Sequence, residues 1–200
     1  MSTSLNLFFR KPLLIACLAA GGLAACSGES DGAAGSVSGR LADAERNAGN
    51  ARIIGTIEGA VGDQSGPWHA LSMTHQGETV STASWSAVMG DLISYSIQGH
   101  EGDSFSVANS ISVDLTLSGG RSYDPTVAWF PEASLAPNYM SVEDSVTVTF
   151  DSMEENGDEV RVSGTAKGEV FLHASMMGEP DMSDSRPVDL RFEAVLSKLE

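Results

Sequence analysis

Cysteine is nearly missing from this chain: it occurs at Cys17 and Cys26 and nowhere later. Beyond residue 26 that absence excludes disulfide staples, thiolate-bound zinc and thiol catalysis, so a fold there must be held by apolar packing alone. Basic residues are scarce too, 11 Lys and Arg against 27 Asp and Glu, for a net charge of −16. A surface of that sign repels phosphate backbones and anionic head groups, which sets nucleic acid aside as a partner. No apolar run reaches the roughly 20 residues of a membrane-spanning helix. No stretch after residue 52 keeps helical periodicity between caps. The Gly-x-Ser-x-Gly elbow, the His-Glu-x-x-His pair and the glycine-rich phosphate loop are all absent, so the expectation is a protein without enzymatic activity or cofactor.

What is present begins at the N-terminus, MSTSLNLFFRKPLLIACLAAGGLAACS. Arg10 and Lys11 precede an apolar stretch of 13 residues, Leu13 to Ala25, the pattern of an export signal. Leu23-Ala24-Ala25-Cys26 resembles the lipobox of bacterial lipoproteins: an aliphatic residue, two small residues, then an obligatory cysteine. Small side chains let the backbone lie extended in a protease cleft, and a cysteine sulfur is the soft nucleophile that accepts a diacylglyceryl group as a thioether. The resemblance implies that residues 1–25 are a signal peptide removed by signal peptidase II. It also implies that Cys26 becomes the lipidated N-terminus, carrying palmitate-type acyl chains. Two or three such chains, at about 0.8 kcal/mol per buried methylene, anchor a protein permanently. Ser27 is not the aspartate that resembles an inner-membrane retention signal in enteric bacteria, so the expected address is the cell envelope, at the outer membrane of a Gram-negative bacterium. Removing the leader takes Arg10 and Lys11 with it, leaving 9 − 27 = −18.

Residues 26–51 are rich in Gly, Ser, Ala and Asp and read as the lipidated Cys and a flexible tether, too poor in large apolar side chains to pack. About 24 such residues reach roughly 25 to 30 Å. From residue 52 the pattern alternates with period two, which predicts one β-domain over 52–200. Val188, Leu190, Phe192, Ala194 and Leu196 alternate with Asp189, Arg191, Glu193 and Val195; Val146, Val148 and Phe150 alternate with threonines; Ile111, Val113, Leu115 and Leu117 share one parity, and Val160, Val162, Val170 and Leu172 another. Further strands are expected at 53–60, 68–76, 79–88, 92–98, 105–107 and 126–130. Asn156-Gly157 between two alternating runs predicts a hairpin. Gly164 and Gly168 predict bends that let their strand cross between sheets. The predicted fold is all-β, an antiparallel β-sandwich of about 8–10 strands, with a closed antiparallel barrel as the alternative.

Several groupings point to chemistry and are each matched by a plainer reading. Gly102-Asp103-Ser104 resembles the nucleophile block of GDSL-type esterases, yet none of the four histidines has Asp three positions before it, as that family's Asp-x-x-His pair requires. His173 with Met176, Met177 and Met182, and His69 with Met73 and His75, offer imidazole and thioether ligands of the kind copper takes. On a strand, however, His173 and Met176 point to opposite faces. The acidic turn Asp151 to Glu159 and the carboxylates Asp181, Asp184 and Asp189 suit calcium in charge but not in spacing. Trp68, Trp85, Trp129 and Tyr139 would form a sugar-stacking platform if they shared an exposed face. Residues 119–141, with Pro125, Pro131 and Pro137, are expected to be irregular and so the first place to look for a binding site. The leading expectation is a membrane-anchored lipoprotein presenting a binding module to an envelope protein or glycan. A metal-binding (calcium or copper) lipoprotein and an envelope-polymer hydrolase with paired carboxylates are the alternatives.

Overall fold

Period-two alternation becomes strand almost wherever it occurs. The computed structural model describes residues 51–199 apart from Gln76 and Met177; the expected signal peptide, Cys26 and the tether lie outside the described residues. The elements are β1 (Arg52–Val61), β2 (Gln64–Ser65), β3 (Trp68–His75), β4 (Glu78–Ser81), β5 (Ala83–Met89), β6 (Leu92–Gly99), β7 (Ser110–Ser118), β8 (Arg121–Phe130), β9 (Asn138–Met140), β10 (Val146–Asn156), β11 (Glu159–His173) and β12 (Asp181–Lys198). The fold is all-β and consistent with a sandwich. The count is twelve rather than 8–10, because β2, β4 and β9 are only two to four residues long. The sheet is also mixed rather than wholly antiparallel: the end of β12 runs parallel to β5, with Ser197 opposite Ser84 and Lys198 opposite Trp85.

The twelve strands form one sheet that folds over into two facing layers, β10–β11–β12–β1–β3–β4 and β5–β6–β7–β8–β9. The inward parity of each feeds one core containing Ile57, Tyr95, Ile97, Val113, Val127, Val148, Val162, Leu190 and Phe192. Aromatic edges bridge the layers: Tyr95 of β6 meets Phe150 of β10 at 5.4 Å and 82°, and Phe150 meets Phe192 of β12 at 5.8 Å and 80°. A hydrogen-bonded path runs right round through β12, β11, β9, β8, β7, β6 and β5. Its links at β12–β5 and β11–β9 are only two and three residue pairs long. The layers are therefore stitched at corners, whereas a barrel carries continuous ladders between all its staves.

Two-residue turns connect the hairpins, and glycine opens most of them. Gly62-Asp63, Gly90-Asp91 and Gly157-Asp158 join β1–β2, β5–β6 and β10–β11, each with its glycine at φ near +60°. The predicted β10–β11 hairpin is thus present with its register one residue on, Asn156 pairing Glu159 around Gly157-Asp158. Glycine first with positive φ is what a type II′ turn requires.

The other departures have local causes. The run 79–88 is broken at Thr82, whose Oγ1 accepts from Leu71 N at 2.8 Å and donates to Gln98 O at 2.8 Å, pinning the chain where it leaves β3 for β6. Residues 105–107 form no strand; Phe105 packs with Leu71 and Met73 in a small second core. The stretch 119–141 is not one irregular loop, because β8 starts at Arg121 and β9 adds Asn138–Met140. Pro125 is accommodated in a bulge, where Asp124 and Pro125 together oppose Leu115.

Candidate binding site

Two hollows open on the surface of the described residues. The first, about 550 Å³, is formed where β10, β11, β12 and β1 lie side by side. Extra residues at Ile54 in β1 and Asp151 in β10 break the registers there, and both bulged residues line the hollow. Its charged rim consists of Arg161 and Arg191 with Glu58, Asp151 and Glu193. Arg161 Nη1 donates to Glu193 Oε1 at 3.3 Å, and with both side chains more than half exposed the pair adds little stability.

The second hollow, about 660 Å³, lies where the start of β1 and the end of β12 meet the β3–β4 hairpin and β5. Ser72, Thr74, Thr79, Ser81, Ser84 and Ser197 present hydroxyls to it, Arg52 and Lys198 present cations, and Asp158 and Glu159 close one side. Lys198 stands 5.6 Å above the Trp85 ring, whose Nε1 donates to Asp158 O at 3.1 Å. In a chain with few cations, Arg52, Arg161, Arg191 and Lys198 all line one hollow or the other.

The hydroxyl surface continues from Ser84 over the outer layer. Across β5, β6, β7 and β8 the outward row reads Ser84, Ser96, Asp114, Thr126, and the next reads Ser86, Ser94, Thr116, Tyr123. Asp114 sits amid these rows. Burial pushes its carboxyl above the usual carboxylate range, partly offset by hydrogen bonds from Ser96 and Ser112, the latter at 3.1 Å. The folded chain therefore keeps the Asp114 proton to higher pH than the unfolded chain does. Stability drawn from this group is complete below the ordinary carboxylate pKa and is lost as pH rises through the raised one. Asp114→Asn is expected to raise the melting temperature at pH 7 and to leave it nearly unchanged at pH 3.5. Parallel melts at the two pH values check this, and a lower melting temperature at pH 7 would show the carboxylate to be stabilising.

Among the described residues no three His, Cys, Asp or Glu side chains converge as a metal-binding group. Asp181 accepts from Ser183 N and Oγ, which holds its carboxyl below the usual range. Asp184 engages Arg186 and the Tyr139 hydroxyl, and Asp189 pairs with Lys167 at 3.3 Å. These three aspartates thus serve separate local partners. Met73 is buried in the second core, Met182 is exposed, and Met177 and the side chain of His75 lie outside the described residues. Met176 Sδ lies 3.9 Å from Asn138 Nδ2, and Asn138 is directly opposite His173 across β9–β11. His100 Nδ1 lies 2.7 Å from Ser106 O, so the Gly102-Asp103-Ser104 segment is a turn organised by a buried histidine.

The four aromatics do not share one exposed face. Trp68, Trp129 and Tyr139 are buried, and Trp85 is half-buried. Trp129 and Tyr139 stack at 5.3 Å and 28°, with Arg186 4.8 Å from the Tyr139 centroid on the way to its hydroxyl. Burial raises the Tyr139 pKa, while the nearby Arg186 pulls it down and Asp184 pushes it up. This cluster braces the corner where β9 joins β11. Sequence reasoning missed the hydroxyl surface, although its signal is the polar parity of Ser84 and Ser86, Ser94 and Ser96, and Ser112, Asp114 and Thr116. No family model, no curated protein and no solved structure matches the chain.

Proposed function

We propose that this chain is a membrane-anchored lipoprotein of the cell envelope, tethered by acyl chains on Cys26 and presenting its β-domain as a binding module. The observation that carries the reading is the run Leu23-Ala24-Ala25-Cys26 behind a charged, apolar leader, followed by a cysteine-free domain whose first strand begins at Arg52. An outer-membrane address follows from Ser27. The ligand surface is the second hollow, where six hydroxyls and two cations suit a polar, hydroxyl-bearing partner such as an envelope glycan. Aromatic stacking plays no part at this hollow, since Trp68, Trp129 and Tyr139 are committed to the core and Trp85 to Lys198.

Cys26→Ala decides the anchoring. The variant is expected to take up no labelled fatty acid and to move from the membrane pellet to the soluble fraction. Fatty-acid incorporation or pelleting retained at the parent level would overturn the reading.

A further inference from the structure

Large apolar side chains left exposed on a soluble face need a reason when they gather in one place. Among the described residues seven are exposed: Ile53, Val88, Met89, Tyr123, Met176, Met182 and Leu199. Five of them, Ile53, Val88, Met89, Tyr123 and Leu199, belong to one end of the domain. Arg52, Ser84, Lys198 and Leu199 line the same hollow, which places the start of β1, the end of β12 and the start of β5 together. From Ser84 the strand β5 runs parallel to β12 and continues after β12 has ended, through to Met89. Beyond the Lys198–Trp85 pair that leaves four residues, at about 3.3 Å each roughly 13 Å of projection.

The projecting tips are built to show apolar groups. In β5 the register slips between Ala87 and Met89, so that Val88 is an extra, unpaired residue. The bulge leaves Val88 51% and Met89 79% exposed, with Met89 opposite Leu92. In the adjoining β7–β8 hairpin, Tyr123 lies opposite Thr116 on the same outer face and is 46% exposed. Ser118 Oγ donates to Asp91 Oδ2 at 2.9 Å, which ties the two hairpin tips together. Charge at the tips is limited to Asp91 on one and to Arg121 and Asp124, the neighbour of Tyr123, on the other.

The chain that precedes the domain enters at this same end, since β1 is antiparallel to β12 and starts beside its close. We infer that the β5–β6 and β7–β8 hairpin tips dock on the bilayer that holds the acyl chains, with Val88, Met89 and Tyr123 seated at the interface. This rests on the lipoprotein reading. The 25 residues from Ser27 to Ala51 span at most about 85 Å even fully extended, and tethering on that scale gives effective concentrations in the millimolar range, so three weakly inserting side chains suffice. An acidic domain favours a zwitterionic surface over an anionic one. Docked so, the domain stands with β1–β2 and the Tyr139–Arg186 corner away from the membrane.

The mature sequence permits a clean test, because Cys26 carries its lipid as a thioether and no other cysteine follows. The full lipidated chain, reconstituted in phosphatidylcholine vesicles with brominated acyl chains, is labelled with a fluorophore at Met89→Cys or, at the far end, at Asp63→Cys. Bromolipid quenching is expected to be several-fold stronger at position 89 than at 63. Adding Val88→Ser and Tyr123→Ser to Met89→Cys should bring it down to the level of 63. Equal quenching at 89 and 63 in protein shown by mass to be acylated would overturn the docking alone. A Cys26 without lipid would overturn the lipoprotein reading and the docking with it.

Discussion

Phe192→Ala should cost about 3–5 kcal/mol of folding stability, the range for emptying a large aromatic site in a packed core. Phe192 is 1% exposed and lies in β12 between β1 and β11, opposite Ile57 on one side and Gly164 on the other. Gly164 leaves room for the ring: a methyl group there would approach Phe192 Cζ to 2.6 Å. The ring then meets Phe150 edge-on, and Phe150 meets Tyr95, so one relay spans both layers of the sandwich. Truncation removes the end of that relay and leaves a cavity that backbone on two sides cannot fill. With typical domains stable by about 5–15 kcal/mol, the loss takes about a fifth of the total or more. Urea unfolding of the Cys26→Ala chain checks it, and a midpoint shift worth less than 1 kcal/mol would mean the layers are held elsewhere. Phe192→Leu, which keeps most of the volume, should fall well short of the alanine effect. Gly164→Ala cannot be rescued by Phe192→Ala, since its Cβ would also meet Thr149 O at 2.2 Å.

That core was readable before any coordinates, because one buried face imposes period two on each strand. Val188, Leu190, Phe192, Ala194 and Leu196 are all buried, as are Val146, Val148, Val160, Val162 and Val170. The signal ended where strands carry polar side chains on both faces. The first part of β12, Asp181 to Pro187, has no apolar alternation. It is strand because its backbone pairs with β11 and its Asp184 and Arg186 satisfy each other and Tyr139. The three residues of β9, behind Pro137, are too few to show a period. Sheet order was out of reach for a similar reason, since it depends on corners such as Thr82 and Gly168 where a strand exchanges one partner for another.

The candidate site was less legible than the fold. Arg52, Ser84, Asp158 and Ser197 are distant in sequence and meet only because β12 ends between β1 and β5. No spacing rule joins such residues. Histidines, methionines and tryptophans drew attention by type, and the fold assigned several of them to packing instead, Met73 and Trp68 most plainly. The hydroxyls were legible in principle, as the polar partners of the same alternation that located the core. Alternation was used to ask what is buried, and its outward half holds the surface chemistry.

The sharpest dependence on a single backbone position falls on Gly168, and Gly168→Ala is expected to cost about 3 kcal/mol or more, or to prevent folding. Its φ of 144° belongs to a region that residues with a Cβ rarely adopt. A methyl group would lie 2.1 Å from Ser145 O and 2.7 Å from Val146 Cα. Both are backbone atoms, and Ser145 O is already committed to Glu169 N at 2.9 Å, so neither can withdraw cheaply. The position matters because β11 changes partners there. Val146 opposite Gly168 is the last pair with β10, and Phe171 opposite Met140 is the first with β9. Gly168 is therefore the bend by which one strand serves both layers, as the glycine in the alternating run suggested. If the corner opens, β9 loses its pairing with β11 and is held only by its two pairs with β8, which loosens the Trp129–Tyr139 stack. Loss of near-ultraviolet circular dichroism and faster proteolysis within residues 131–137 should accompany the drop in stability. A Gly168→Ala chain that melts with the parent and keeps both signals would show that β11 bends elsewhere.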